Sequence, residues 1–553
     1  MWDYIVVGGG LAGSVVTNRL LKHDASLRIL VLEAGPDVSN RTDILYVNST
    51  NLIQGDFDYN YQTVPQVHLD NRQIGNSGGR ALGGGSAINT CGWTRGPRLD
   101  YDLWAQTVGD DRWSYDGQLP YFRSTEDWCD DNQNPDQHGH EGPLYVASVS
   151  STGRQYPLRD QVEQSWHEIG VETIPELDGN AGNTLGVSEL FENRRDGKRQ
   201  IASVVYPLNG ATVLTNTLVD SIIIEKDSDG NAQATGVRLA NGIEYKARQV
   251  IASAGAYRTP QLLMLSGIGP SETLLSLGIE TKLDLPDVGK GLADHVMFSM
   301  FWKLKNPELG YAIGSSNPLF QEPQFGLGNA NNFITSTAVP KDGLAEAIAK
   351  DEGRTPDPTS HPLLKDTHAM MENFVLYLPL PAAAPILPTN GTWITTTMVG
   401  LQPTSKGSVT ISSKDPKVPP VIDPNYFATE VDKYVWRESI RQMVSLVSGN
   451  QTVLGRDIIE VETPPSSFDP INSGVSDEYL DARVRTSGIS TYHGMGTCAM
   501  GKVVDANLKV KGVQGLFVVD ASVFPVVLGA HIQAATYALA EQAAGIISTN
   551  SLI

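Results

Sequence analysis

Cysteine is nearly absent from this 553-residue chain. Cys91, Cys129 and Cys498 can close at most one internal bridge, and none lies in a CxxC pair, which excludes a disulfide framework and a cysteine zinc site. Basic residues are also in deficit, with 41 Lys plus Arg against 62 Asp plus Glu and a formal charge of −21. No Lys/Arg-rich run interrupts that excess. The long-range field therefore repels phosphate backbones and anionic lipid heads, and neither nucleic acid nor a membrane is expected as a partner. A membrane-spanning apolar run is missing as well. The longest uncharged stretch, Asn373 to Ser405, carries Pro379, Pro381, Pro385, Pro388 and Pro403, which break helices and make it buried strands and turns. A second, Ala521 to Ala540, holds Pro525, Gly529, His531 and Gln533 and belongs in a core beside a polar site. What is present is a globular composition, 40% hydrophobic and 19% charged, long enough for two or more domains of ~100–200 residues.

Met1-Trp2-Asp3 runs straight into an apolar segment and leaves no room for a secretory leader. Four glycosylation triplets, Asn40-Arg41-Thr42, Asn48-Ser49-Thr50, Asn390-Gly391-Thr392 and Asn450-Gln451-Thr452, point to a secreted chain whose leader was removed. A cytoplasmic location is the alternative.

Tyr4-Ile5-Val6-Val7 has the β-branched character of a buried parallel strand and ends in Gly8-Gly9-Gly10-Leu11-Ala12-Gly13. A helix over Ser14 to Leu21 follows, then a second apolar strand, Leu27 to Leu32, ending at Glu33. This is a βαβ dinucleotide unit. Gly8 permits the tight turn, Gly10 lets the backbone approach a pyrophosphate, and Gly13 lets helix and strand pack closely. Glu33 can accept hydrogen bonds from an adenosine ribose and would repel a 2′-phosphate, so NADP is disfavoured. A second glycine-dense segment, Gly78 to Asn89, has no strand period and too many glycines for a helix. Its backbone donors suit an extended cofactor better than a free surface loop.

Farther on, residues 150–195 read as polar and loop-rich. Thr212 to Ile224 and Ala234 to Val250 read as strands joined by a turn at Asp227 to Asn231. Gln249 to Ala256 repeats the pattern of an apolar strand followed by small residues, with a helix over Pro260 to Leu265. Phe301 to Pro470 is richer in Pro, Asn and Thr. It has strand-like segments at Ala369 to Leu380, Thr392 to Leu401 and Gly407 to Ser412, and one helix over Asp432 to Ser448. The last 80 residues return to βα character, with a strand at Leu516 to Asp520 and a helix over Ile532 to Ile547.

Of ten histidines, most sit singly in polar contexts. His138 and His140 flank Gly139 without a matching ligand cluster, and no metal is expected. His493, in a small-residue loop, and His531, at a helix start, have apolar neighbours that would expel water; they are either buried structural histidines or a catalytic pair. Removing hydride from a carbon bearing a hydroxyl requires that the hydroxyl proton leave too, and a neutral imidazole is suited to take it.

The segments Gly79 to Asn89, continuing through Trp93, Gly96 and Asp102, and Gly255 to Gly269 resemble the two signatures of the glucose-methanol-choline flavoprotein oxidoreductases. Leu285 to Gly289, Ile422 to Phe427 and His493 to Cys498 are also similar to family segments, and the matches run in order over essentially the whole chain. The nearest branch is that of glucose oxidase and aryl-alcohol oxidase. The resemblance implies an α/β fold: a Rossmann-like FAD-binding domain interleaved with an α+β substrate domain on an antiparallel sheet. Residues 1–300 would be mostly FAD-binding, with about 150–200 contributed to the substrate domain; 301–475 would bind substrate, and 476–553 would return to the FAD domain with the histidines. It implies that Leu11 and Ala12 hold the pyrophosphate and Glu33 the ribose. Gly85 to Gly92, through Asn89, Thr90 and Cys91, would hold the flavin end, with Val219 on the adenine side and Ala521 and Gln533 near the flavin. His493 falls on the catalytic base, His531 on its partner, and Glu372 on a carboxylate that orients the latter.

Two departures from the family narrow the expectation. Ile489 replaces a sugar-binding arginine, which disfavours glucose, and Ile88 replaces a histidine that bonds covalently to flavin, so FAD is expected to be non-covalent. The expected substrate is an aromatic, allylic or metabolite-like alcohol, with O2 or another electron acceptor. A non-redox FAD-containing member, of hydroxynitrile lyase or cyclase type, is the alternative.

Overall fold

The computed structural model describes residues 1–49, 52–129, 133–226, 229–380 and 384–550. Thr50 of the second glycosylation triplet, Pro381, and Asp227 and Ser228 of the expected turn lie outside them. Among the described residues no helix is long and apolar enough to cross a membrane.

Two sheets organise the chain. In the first, the Trp2–Val7 strand lies between Ile29–Leu32 and Glu244–Ala252, parallel to both, with Val7 opposite Leu32 on one side and Ala252 on the other. Thr212–Leu214 extends the parallel part beyond Ile29–Leu32, and Leu516–Val518 adds to the far side of Glu244–Ala252. Unbroken apolar runs explain the arrangement: Ile5, Val6, Leu30 and Val31 are wholly buried, as strands covered on both faces must be. Each such side chain contributes roughly 1.5–3 kcal/mol by leaving water. An antiparallel meander, Val219–Lys226, Ala232–Leu239 and Glu244–Ala252, flanks the parallel strands. The Leu11–His23 helix covers one face and packs on Gln533–Asn550, whose Ala534, Ala535 and Ala538 are small enough for close approach.

The second sheet has seven strands and is antiparallel throughout. It runs Ile459–Glu462, Val296–Leu304, Trp393–Gly400, Met371–Leu376, Phe333–Thr337 and Gly186–Glu189, with Ile489–Ser490 also paired to Val296–Leu304. The Glu430–Val447 helix lays its buried Val435, Ile440 and Val444 against this layer.

Two sequence expectations change, and one expected strand takes a place outside the two main sheets. Thr212 to Ile224 is two strands, because Asn216 adopts φ 53° and Thr217 N–H bonds to the Glu33 carbonyl, turning the chain out of the parallel sheet. Gly407–Thr410 does not join the seven-stranded sheet; it lies between Lys290–Leu292 and Val421–Asp423 in a separate three-stranded one. Residues 150–195 contain a helix, Arg159–Glu168, that buries Val162 and Trp166 beneath an otherwise charged face.

Candidate active site

A cavity of about 760 Å³ runs between the two sheets. Its first part is built by the βαβ turn. Gly8 adopts φ +101°, and a Cβ there would meet the Ser253 carbonyl oxygen at 2.4 Å. Gly10 is the helix N-cap and has no side chain to satisfy the first-turn N–H groups, so those of Leu11 and Ala12 open on the cavity that both residues line. Gly13 lies behind it. A Cβ there would stand 2.0 Å from the Gly8 carbonyl oxygen, so this glycine serves helix-to-strand packing and does not line the cavity. Glu33 lines the wall with its carboxylate held by Gly35 N–H at 2.7 Å and Gly9 N–H at 3.0 Å. Burial pushes this carboxyl up to about 7 against the pull of those donors.

The second glycine-dense segment crosses the first at contact distance: a Cβ on Gly84 would lie 2.8 Å from the Gly10 Cα. Beyond it Gly85, Asn89, Thr90, Cys91 and Gly92 line the cavity, and a Cβ on Gly85 or Gly92 would meet nothing within 4 Å. The Asn89 amide donates to Gln533 Oε1 at 3.0 Å, and Gln533 in turn donates to the Gly92 carbonyl at 2.5 Å, tying the glycine-rich segment to the closing helix. Val219 and Ala521 also line the cavity.

His493 and His531 stand together where this cradle meets the antiparallel sheet, their rings 4.9 Å apart and nearly perpendicular. His531 Nε2 meets Glu372 Oε1 at 2.7 Å, and its backbone N–H is fixed by Thr94 Oγ1 at 2.7 Å. His493 is held from behind. Its backbone N–H donates to Asp294 Oδ1 at 2.8 Å, and its Nδ1 meets Nδ1 of His295 at 3.0 Å. The other Asp294 oxygen accepts from Tyr426 and, at 2.5 Å, from Ser490.

The two imidazoles are pushed in opposite directions. Burial, then the neighbouring His531 and His295, holds His493 well below the usual histidine range, so it is a neutral base at ordinary pH. Burial also disfavours a charge on His531, but the Glu372 carboxylate overrides it and raises this histidine above its usual value. The wall beyond is apolar, formed by Met297, Phe374, Leu376, Val399 and Ile489, with Thr397, Asn329 and Asn331 as polar points.

Sequence reasoning missed Asp294 and His295. The visible signal was an Asp-His pair immediately before the apolar Val296–Leu304 strand, a polar pair placed where a chain enters a core. His138, read as one of an unmatched pair, is fully buried between Glu126 and Asp178.

Residues 2–297 match the N-terminal model of the GMC oxidoreductase family and residues 403–540 its C-terminal model, and the chain belongs to that family. It is 38% identical to the GMC-type oxidoreductase acuG of Aspergillus aculeatus over 99% of each chain. It is 31% identical to pyranose dehydrogenase 3 of Leucoagaricus meleagris over 99% of this chain and 93% of that protein. Among solved structures, pyridoxine 4-oxidase from Mesorbium loti superposes with a TM-score of 0.82 at 27% identity, covering 99% of both chains. The protein is therefore an oxidoreductase for alcohol-type donors with FAD as its cofactor. The cradle fits that group: a helix start without a side-chain cap, glycines whose missing Cβ atoms leave open space, and a buried carboxylate on the wall.

Proposed function

We propose that the chain oxidises a primary or secondary alcohol of aromatic, allylic or metabolite-like character to the carbonyl. Non-covalent FAD, when bound, supplies the hydride acceptor. His493 takes the hydroxyl proton on its free nitrogen, and His531, kept charged by Glu372, stabilises the oxyanion left behind. The observation that carries this reading is the pair of touching imidazoles with opposite proton affinities, set between the cradle and an apolar wall. Ile489 in that wall supports an apolar alcohol over a sugar, and Ile88, buried within the second glycine-dense segment, supports a flavin without a histidyl bond. The likeness to pyridoxine 4-oxidase supports O2 as the acceptor, with peroxide as product.

The test is anaerobic titration of the holoenzyme with benzylic, allylic and aliphatic alcohols and glucose, followed by air. Bleaching of the flavin absorbance by an apolar alcohol and recovery with peroxide are expected. A bound flavin that none of the alcohols bleaches while the enzyme releases cyanide and a carbonyl from a cyanohydrin, a cleavage without net oxidation, or preferential bleaching by glucose, overturns the proposal.

The four candidate glycosylation asparagines, Asn40, Asn48, Asn390 and Asn450, are all exposed, which supports a secreted glycoprotein. Treating the native protein with an endoglycosidase should lower its mass; an unchanged mass counts against this reading.

A further inference from the structure

The hydrogen bond between His493 and His295 joins two nitrogens of the same kind, Nδ1 to Nδ1 at 3.0 Å, with the rings nearly perpendicular. Only one of them can carry the shared proton, and a neutral imidazole holds one proton in all. If His295 donated, Nδ1 of His493 would be the acceptor, its proton would sit on Nε2, and no lone pair would face the cavity. If His493 donates, Nε2 is bare. The choice is made on the far side of His295, whose Nε2 is buried and makes no hydrogen bond of ordinary geometry among the described residues. The backbone acceptor that favours a proton on this ring is the Leu401 carbonyl, and with Nδ1 turned to His493 the nitrogen left to face it is Nε2. A lone pair turned to a carbonyl oxygen is repelled, whereas an N–H is attracted, so the proton of His295 belongs on Nε2 and its Nδ1 is left to accept. A doubly protonated His295 would remove that acceptor. Burial prevents it, followed by the charges of His531 and Lys406, and together they push His295 down to about 3. Among the described residues Nε2 of His493 itself has no hydrogen-bond partner, and His493 lines the cavity.

We propose that His295 is a positioning residue that accepts a hydrogen bond from Nδ1 of His493 and thereby leaves Nε2 of His493 as the bare nitrogen offered to the substrate hydroxyl. The inference rests on His493 being the base. It extends that reading by assigning which nitrogen works and what fixes it. Asp294, next in the chain to His295, pins the backbone of His493, so one dipeptide sets both the place and the tautomer of the base.

The tautomer can be read without turnover. In holoenzyme carrying 15N-labelled histidine, two-bond proton–nitrogen correlation reports which ring nitrogen holds the proton, and His493→Gln identifies the signal. The wild type should show His493 protonated on Nδ1. In His295→Leu the proton should shift toward Nε2, and in His295→Asn, whose amide oxygen can accept, it should stay on Nδ1. A proton on Nε2 of His493 in the wild type, or an unmoved tautomer in His295→Leu, overturns the proposal, whatever the protein's substrate is. With benzyl alcohol as the probe, His295→Leu should slow anaerobic flavin reduction about tenfold with the same saturation concentration. His295→Asn should recover most of that rate. Recovery by Asn separates an acceptor role from simple space filling, and equal rates in Leu and wild type overturn the proposal.

Discussion

Two buried clusters in this molecule use the same residue types to opposite ends. Around His138, Nδ1 meets Glu126 at 3.2 Å and Nε2 meets Asp178 at 2.9 Å, while Arg95 and Trp93 also bond to Glu126 and Trp128 stacks on the ring at 3.5 Å. The side chains of Arg95, Glu126, His138 and Asp178 are wholly buried. Against the cost of burial, Arg95 and His138 hold Glu126 down at about 2. Around His493 the buried groups also include histidines and carboxylates, but one nitrogen has no partner among the described residues and faces a cavity. The first cluster is closed and the second is left open. A closed network spends its polarity on holding strands and loops in place, whereas an open one keeps a reactive lone pair in a site from which water can be expelled.

Variants should separate the two. The largest effect is expected at the open site: His493→Ala should keep its FAD and its unfolding midpoint yet slow flavin reduction by roughly 10²–10⁴-fold in anaerobic stopped flow. Reduction at the wild-type rate would end the assignment. In the closed cluster, Glu126→Ala leaves the Arg95 guanidinium buried and unpaired. It should cost about 3–5 kcal/mol in denaturant unfolding, while the folded fraction reduces its flavin at nearly the wild-type rate. A loss of rate without a loss of stability would collapse the distinction. A smaller change is expected for Glu372→Gln, which removes the charge that keeps His531 protonated and should slow reduction about 10–100-fold.

The weakest effect concerns pH. His493 is depressed, so it stays a base as pH falls below about 6.5, where an ordinary histidine would be protonated, and the reduction rate should hold on the acid side. His531 is raised, so its charge and the stability drawn from the Glu372 pair are present below the unfolded value of about 6.5 and are lost as pH rises through the folded value. The rate should therefore fall on the alkaline side in the wild type and lose that limb in Glu372→Gln. A bell centred on an ordinary histidine would contradict both directions.

What could be read in the sequence was what the sequence holds locally. Gly8 to Gly13, Glu33 and the second glycine-dense segment signal themselves by spacing, and the structure brings the two segments and Glu33 together along one cavity, with Gly13 set behind it. His493 and His531 were legible as histidines among small residues. Of their partners, Glu372 was reached only through the family resemblance and His295 not at all, because Glu372 stands 159 positions from His531 and His295 stands 198 from His493, distances over which no periodicity survives. The division of Thr212 to Ile224 was hidden for another reason: a single left-handed Asn216 breaks a run that otherwise reads as one strand.

The interleaving of the sheets also sets the order in which the protein can be made. The first helix is tied by Arg19 to Glu541, 522 positions later, and Glu244–Ala252 is completed by Leu516–Val518. At synthesis rates of roughly 5–20 residues per second, the opening βαβ unit leaves the ribosome on the order of half a minute to two minutes before its partners exist. During that interval the Leu11–His23 helix lacks the Gln533–Asn550 helix that packs on it, so chaperone occupancy of the nascent chain should peak before the last of the chain emerges, and cofactor capture is a late event.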